Sequence, residues 1–256
     1  MKNKKNNPFD IILSETPNFS EEEAIHLAKK HYDIEASAEN LVSERDQNFL
    51  LRTTDGKKFV LKIANSEEDP IVTDFQICAL IHINKINDNR ISVPEIKFSR
   101  GNRKSIVLTK EKKSFVTRVV TYLDGEPLFT SKKSIPDIGI AEGMGRYLAI
   151  LGKSLSDFNH PGSGQNLLWD MKRALSIREI TGHIDSSSAR IMVERALTDF
   201  ERYALPKFDS IRWQVIHNDM NPDNVLIDIS EKRKVCGMID FGDMVYSPLI
   251  IDLAVA

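Results

Sequence analysis

Hydrophobic positions along this chain recur with two different periods. Phe59, Leu61 and Ile63 lie on one side of a run of alternating residues, which is typical of a β-strand. The turn signal at residues 54–56 separates this run from another apolar run at residues 49–52. The pattern therefore predicts a β-hairpin in the first third of the chain.

Helix start signals precede further segments, whose apolar residues recur every three or four positions. Ser20 and Glu23 have the spacing of a capping box, and Asp69 followed by Pro70 marks the start of a second helix. A third helix is predicted after Pro136. The apolar faces are Ile71, Phe75, Cys78, Ala79 and His82 for the second helix, and Ala141, Met144, Leu148, Leu151 and Leu155 for the third. A fourth helix is predicted at residues 187–203.

Other apolar runs have the length and composition of strands. They lie at residues 91–98, 105–108 and 115–123, and later at 213–216, 225–229 and 235–239. The first part of the chain is therefore rich in strands, and the second part is rich in helices. We predict an α+β fold with an N lobe at residues 1–122 and a C lobe at residues 123–256, joined by a hinge near residues 122–125.

Two polar motifs stand at the ends of the predicted short strands. They are His217-Asn218-Asp219-Met220-Asn221-Pro222-Asp223-Asn224 and Ile239-Asp240-Phe241-Gly242-Asp243. Asp219 is suited to accept the proton of an attacking hydroxyl, while Asn224 and Asp240 offer the oxygen ligands that Mg²⁺ prefers. An Asx-rich surface turn is the alternative interpretation of the first motif. The second motif, an apolar strand that ends in Asp240 at the expected distance, is independent of the first. The two motifs together therefore favour phosphoryl transfer over a surface turn.

Lys62 lies inside the apolar strand at residues 58–63, where an ammonium group requires an anion. It either reaches the phosphates of a nucleotide or extends from an edge strand to water. The two downstream motifs favour the first interpretation. The adenine would then bond to backbone groups near Thr121 and Leu123. In a protein kinase the second helix supplies a Glu to this lysine, but the central polar positions here are Asp74 and Gln76, so the acidic partner is left unassigned.

Composition limits the classes of partner. The chain has 256 residues, a net charge of -2 and 41% hydrophobic residues, which predicts a globular protein and gives no basic footprint for nucleic acid. We expect no association with a membrane, since no apolar run is long enough to span one. Cys78 and Cys236 lack metal-ligand spacing, so reduced, buried thiols in a cytoplasmic protein are expected.

The ordered set of motifs resembles the aminoglycoside phosphotransferase family, and within it the hydroxylysine kinase group and its bacterial relatives. The segments that carry the resemblance are NLVSERDQN at residues 40–48, FVLKI around Lys62, VVTYLDGEPL, Trp169-Asp170, HNDMNPDN and GMIDFGDMVYSP. The resemblance covers residues from about 35 to the end. It implies a protein-kinase-like bilobal fold, with an antiparallel-sheet N lobe and a mostly helical C lobe.

The resemblance also implies roles for individual residues. Asp219 is the implied catalytic base, with Asn224 and Asp240 as Mg²⁺ ligands and Lys62 on the nucleotide phosphates. His217 and Asp252 are the implied structural supports of the site. The loop from Ser43 to Asn48 would cover the phosphates. Asp243 would either meet a cationic substrate or stabilise its own loop.

The implied activity is transfer of a phosphoryl group from ATP or GTP to the hydroxyl of a small amino compound, with 5-hydroxylysine favoured. The alternatives are an aminoglycoside, homoserine or choline-like kinase, or an inactive nucleotide-binding regulatory module of a larger aminotransferase fusion.

The family's GDP-like turn after the metal-binding Asp is altered here to Tyr246-Ser247-Pro248. The family's C lobe normally continues beyond the last residues of this chain. We therefore expect a fragment in which Ile250, Ile251 and Leu253 are left unburied.

Overall fold

The computed structural model describes residues 14–129, 138–228, 230 and 234–256. Its first helix, α1 (Glu21–Tyr32), begins at the predicted capping box. The Ser20 hydroxyl accepts a hydrogen bond of 3.1 Å from the backbone N–H of Glu23, whose carboxylate accepts one of 2.8 Å from the N–H of Ser20. Ala24, Ala28 and Tyr32 form its buried side. The prediction of this helix is confirmed.

A six-stranded antiparallel sheet follows α1. Its strands are β1 (Ala36–Leu41), β2 (Gln47–Thr53), β3 (Lys58–Ile63), β4 (Ile96–Lys97), β5 (Ile106–Lys110) and β6 (Lys113–Thr121). The strand order is β1-β2-β3-β6-β4, with β5 also paired to β6. The predicted hairpin is confirmed as β2 and β3. Asn48, Lys62 and Arg118 stand opposite one another across three neighbouring strands.

The predicted strand at residues 91–98 is wrong over most of its length, because only Ile96–Lys97 pairs with β6. Val93 is buried in the core, but residues 91–95 form no regular structure, and the N–H of Ser92 donates to the Tyr147 hydroxyl at 3.1 Å. Pro94 follows and has no N–H to contribute to a sheet. The apolar run therefore reflects burial without strand pairing.

Helix α2 (Pro70–Ile86) begins at the predicted cap, where the Asp69 carboxylate accepts a 3.1 Å hydrogen bond from the N–H of Ile71. Phe75 and Ala79 on the predicted face are fully buried, but Ile71 is 40% exposed. The short 3₁₀ helix Pro161–Gly164 lies against the backbone of this first turn. A Cβ on Gly162 would lie 2.5 Å from the Ile71 carbonyl oxygen, so only glycine fits there.

The second half of the chain contains the remaining helices. They are α3 (Ile138–Ser154), a 3₁₀ segment (Met171–His183), α4 (Ser187–Asp199), a π-helical turn (Phe200–Ala204), a 3₁₀ turn (Leu205–Ser210) and α5 (Leu249–Val255). The third and fourth predicted helices are confirmed as α3 and as α4 with its π-helical continuation. Pro136, the predicted start of the third helix, lies outside the described residues.

Short strands carry the polar motifs in this half. They are β7 (Glu126–Pro127), β8 (Trp213–Ile216), β9 (Val225–Asp228), β10 (Lys234–Met238) and β11 (Val245–Pro248). They form one sheet in the order β10-β9-β7 and a second sheet of β11 with β8. The three predicted short strands are thereby confirmed, and residue 229 lies outside the description.

One large core joins the elements of both halves. Phe75 and Ala79 from α2 and Val120 from β6 belong to the same buried cluster as Leu151 from α3 and Ile227 from β9. These sheets and helices confirm the α+β class, while the boundary between residues 122 and 123 stays a prediction. Within the described ranges, no helix has the length and apolar character needed to cross a membrane.

The end of α5 differs in part from the expectation. Ile250 and Leu253 are 54% and 60% exposed, but Ile251 is buried. Ile251 packs with Leu167, Phe208, Ile216 and Val245, so this side of the helix has a partner within the chain. The prediction that Ile251 is unburied is therefore wrong.

Candidate active site

Asp219 follows β8 and is held by two asparagine side chains from its own loop. Asn221 Nδ2 donates to Asp219 Oδ1 at 2.8 Å, and Asn224 Nδ2 donates to Oδ2 at 2.7 Å. Burial, followed by the nearby charge of Asp243, raises the pKa of Asp219 to about 6. The carboxylate is therefore oriented by its neighbours and remains ionised at neutral pH.

The backbone of this loop is fixed from below by Asp252 of α5, which is almost fully buried. Its carboxylate accepts hydrogen bonds from the N–H groups of Asn218 at 2.7 Å and His217 at 3.4 Å. Asn218 has a φ of 64°, a left-handed conformation that asparagine tolerates better than most residues. Burial raises the pKa of Asp252 to about 6.

His217 lies beneath Asp219 and is fully buried. Its Nδ1 accepts a 3.3 Å hydrogen bond from the N–H of Asp219, and its ring meets Phe241 edge to face at 4.7 Å. Burial lowers the pKa of His217 to about 4, so the ring is neutral at physiological pH. His217 therefore packs against both motifs as an uncharged side chain.

Asp240 follows β10 and also adopts a left-handed backbone, with φ at 57°. Its Oδ1 accepts a 3.1 Å hydrogen bond from the N–H of Gly242 and lies 3.8 Å from Lys62 Nζ. The charge of Lys62 lowers the pKa of Asp240. The Asp240 side chain is about half exposed, and Asp240 lines the two cavities described next.

A cavity of about 550 Å³ brings the predicted residues together. Lys62, Asp219, Asn224 and Asp240 line it, as do Ser43 from the loop between β1 and β2 and Asn48 from the start of β2. These residues span most of the chain, so only the tertiary structure assembles them. His217 and Asp252 lie beneath this cavity, outside its lining.

An adjoining cavity of about 340 Å³ is more apolar, with Val60, Val120 and Leu226 among its walls. Thr121 and Leu123 line it, as do Lys62 and Asp240. The Thr121 N–H already donates to the Glu95 carbonyl oxygen at 2.9 Å. A planar base at this edge would therefore need another backbone group, such as a carbonyl oxygen.

The sequence did not single out Arg45, but its side chain forms an ion pair with Asp243. Arg45 Nη2 donates to Asp243 Oδ1 at 2.6 Å, and Trp169 Nε1 donates to Oδ2 at 2.8 Å. The guanidinium also stacks over the Trp169 ring at 5.2 Å. Both oxygens of Asp243 therefore have partners within the chain, which favours the loop-stabilising interpretation over contact with a substrate amine. Arg45 and Trp169 both fall within the segments that carry the family resemblance, which is the one signal that pointed to them.

Gln76 of α2, one of the two central polar positions of this helix, bonds to Arg118 and not to Lys62. Its Oε1 accepts a 2.5 Å hydrogen bond from Arg118 Nη2, while the ion-pair partner of Lys62 is Asp240. Glu68 lies before α2 and accepts a 2.6 Å hydrogen bond from Thr73. Burial, followed by the charge of Asp46, raises the pKa of Glu68 to about 7. No carboxylate from α2 therefore pairs with Lys62 in the described structure.

The two cysteines are free and half-buried. The fold brings Asp74 and Cys78 of α2 close to His160, although their sequence spacing did not suggest a cluster. Lys104 Nζ lies 2.6 Å from Asp74 Oδ1 and donates to Cys78 Sγ at 3.1 Å. The lysine therefore supplies the cation for this group.

Comparisons with known proteins agree with this architecture. The model of a family described as "Phosphotransferase enzyme family" matches residues 38–256. Hydroxylysine kinase from Mus musculus is 28% identical over 273 residues, covering 94% of this chain and 69% of the mouse protein.

Two solved structures are similar to the whole arrangement. Amicoumacin kinase hAmiN in complex with AMP-PNP, Ca²⁺ and Ami matches with a TM-score of 0.69 and 13% identity, over 93% of this chain and 68% of that chain. A microcompartment-associated aminopropanol kinase matches with a TM-score of 0.68 and 19% identity, over 90% and 71%. These likenesses confirm the predicted protein-kinase-like bilobal fold.

Proposed function

Because the chain belongs to the phosphotransferase enzyme family and is a small-molecule kinase, we propose that it transfers the γ-phosphoryl group of ATP or GTP to the hydroxyl of a small amino compound. The acceptor that we favour is 5-hydroxylysine. The observation that carries the proposal is the convergence of Lys62, Asp219, Asn224 and Asp240 on one cavity.

Asp219 is the proposed general base. The amide groups of Asn221 and Asn224 hold its carboxylate in place, which leaves little freedom to lose when an acceptor hydroxyl approaches. A pKa of about 6 leaves it ionised at pH 7 yet close to the operating pH, where a base is most effective. In this role Asp219 takes the proton of the attacking hydroxyl.

Asn224 and Asp240 are suited to hold a divalent cation, for which we propose Mg²⁺. The amide nitrogen of Asn224 donates to Asp219, which leaves its amide oxygen as the available ligand atom beside the Asp240 carboxylate. Hard oxygen donors of this kind fit Mg²⁺, which when bound neutralises charge on transferring phosphates. Lys62 provides a fixed positive charge at the same cavity, and the Ser43–Asn48 loop covers it.

The charge of the cavity supports an amine as acceptor. Its lining contains seven carboxyl groups against two cations, Arg45 and Lys62. Acidic charge remains in excess even though Glu68 is only partly ionised at neutral pH and Asp243 pairs with Arg45. Such an excess attracts a positively charged ligand. The mouse hydroxylysine kinase and the aminopropanol kinase have names that describe amino alcohols as acceptors, which supports the same class here.

A coupled assay of nucleotide consumption tests the proposal. The acceptors are 5-hydroxylysine, ethanolamine, homoserine and an aminoglycoside, each with ATP and with GTP. We expect the highest kcat/KM with 5-hydroxylysine and no transfer by Asp219→Ala. A higher kcat/KM with an aminoglycoside or homoserine would mean that 5-hydroxylysine is not the preferred acceptor. An unchanged rate in Asp219→Ala would refute the assignment of Asp219 as the general base. Stabilisation by nucleotide and Mg²⁺ without transfer to any acceptor would favour a regulatory module.

A further inference from the structure

Lys62 of β3 and Arg118 of β6 are direct partners in the antiparallel register. Opposite residues in such a pair project from the same face of the sheet, and like charges placed there destabilise it. Arg118 is buried, with 4% of its side chain exposed, and Lys62 is largely buried, with 17% exposed. Two buried cations side by side require an anion to stabilise them.

The anions available within the chain compensate this pair incompletely. The Lys62 ammonium lies 3.8 Å from Asp240, and Arg118 Nη2 lies 4.0 Å from Asp46. Glu68 also interacts with Arg118, but burial and the charge of Asp46 raise its pKa to about 7, so it carries only part of a negative charge at neutral pH. The short hydrogen bond of Arg118 goes to Gln76, which is neutral. Its other terminal nitrogen, Nη1, is buried and has no hydrogen-bond partner among the residues that the structure describes. A buried donor without a partner is costly, so this nitrogen marks a position for an acceptor.

The position of Arg118 indicates which ligand would supply that acceptor. Arg118 lines the apolar cavity with Lys62, Asp240 and Leu123, but it does not line the larger cavity that holds Asp219. A guanidinium group binds phosphate oxygens through two parallel N–H donors, whereas an ammonium acts as a point charge. The acceptor substrate would approach Asp219, which lines the larger cavity and not the apolar one.

We propose that Arg118 is a second phosphate-binding residue, which contacts the phosphates of the nucleotide donor together with Lys62. This proposal rests on the proposed function, because it requires a nucleotide in the apolar cavity. Gln76 holds the guanidinium in place through a neutral amide, so the short hydrogen bond of Arg118 does not neutralise its charge. A glutamate at that position would instead pair with the cations.

Isothermal titration calorimetry tests this role without turnover. Arg118→Met, Arg118→Lys and the wild type are titrated with ATP, GTP, adenosine and guanosine in the presence of Mg²⁺. We expect Arg118→Met to bind the triphosphate at least about tenfold more weakly, since a charge-assisted contact is lost. Affinity for the matching nucleoside should change less than about twofold, and Arg118→Lys should lie between. The matched control is Lys97→Met, which removes an exposed cation from the neighbouring strand β4.

A structural role would give a different result. Equal losses for triphosphate and nucleoside, or an unchanged triphosphate affinity, overturn the proposal for Arg118. Circular dichroism first establishes that each variant is folded, and Arg118→Lys decides the question if Arg118→Met does not fold. Failure of the wild type to bind any nucleotide overturns both proposals. Tight binding by the wild type without phosphoryl transfer overturns only the proposed function.

Discussion

Arg45 Nη2 donates a 2.6 Å hydrogen bond to Asp243 Oδ1, although 198 positions separate the two residues in sequence. Arg45 belongs to the loop that precedes β2, and Asp243 follows the proposed metal ligand Asp240. The ion pair therefore ties the loop over the cavity to the segment that holds the metal ligand. Only 22% and 12% of the two side chains are exposed.

A double-mutant cycle of Arg45→Ala and Asp243→Ala should show strong coupling. Removal of Arg45 alone leaves a buried carboxylate with Trp169 as its remaining partner. The losses of unfolding free energy in the two single variants should therefore add up to more than the loss in the double variant. We expect a coupling free energy of about 2 kcal/mol from urea unfolding. The exposed pair of Asp55 and Lys57 is the control, for which no measurable coupling is expected. Additive effects at Arg45 and Asp243 would contradict the link.

Asp219→Asn should reduce kcat by roughly 10² to 10⁴-fold with little effect on nucleotide KM, because it removes a proton acceptor and preserves the shape of the side chain. The measurement is the steady-state rate with the best acceptor. Asp209→Asn removes an exposed carboxylate that lines neither cavity and should leave the rate unchanged. A rate for Asp219→Asn close to that of the wild type would exclude a base at this position.

Asp240→Asn should raise the divalent cation concentration needed for half-maximal rate by more than about tenfold. The substitution removes a charged oxygen ligand, and hard cations prefer carboxylates to amides. Titration of Mg²⁺ against the initial rate measures this change, and chelation by EDTA should abolish transfer by the wild type. If the initial rates of Asp240→Asn and the wild type depend on Mg²⁺ concentration in the same way, Asp240 is not a metal ligand.

His217→Gln should be less stable than the wild type at neutral pH, and the difference in their unfolding free energies should become smaller as the pH falls. The pKa of His217 is about 4 in the folded chain and about 6.5 when unfolded, so its contribution is present above pH 6.5 and is lost towards pH 4. The difference in unfolding free energy should fall by about 3 kcal/mol across that range. The raised pKa of Asp252 has the opposite effect, but both proteins contain it, so it cancels.

Urea unfolding between pH 4.5 and 7.5 measures this difference. His26→Gln replaces an exposed histidine on α1 and controls for the loss of an imidazole. A constant difference between wild type and His217→Gln across the range would mean that His217 is not buried in its neutral form.

Local signals predicted most elements, because their physical causes lie within a few residues. The capping box at Ser20 and the Asp69-Pro70 start specified two helices through hydrogen bonds to adjacent N–H groups. The apolar run around Val93 predicted a strand, but Val93 is buried without strand pairing. Burial and strand pairing both favour apolar residues. Periodicity alone does not separate them.

The sequence by itself determined which chemical groups this protein has for phosphoryl transfer, because Asp219, Asn224 and Asp240 lie at fixed spacing on short loops. Tertiary structure alone decided the long-range pairs that surround these groups. Arg45 meets Asp243, and Arg118 meets Gln76, through contacts between segments distant in sequence. Such pairings depend on how the sheet, α2 and the later loops pack together, and packing leaves no local pattern in the chain.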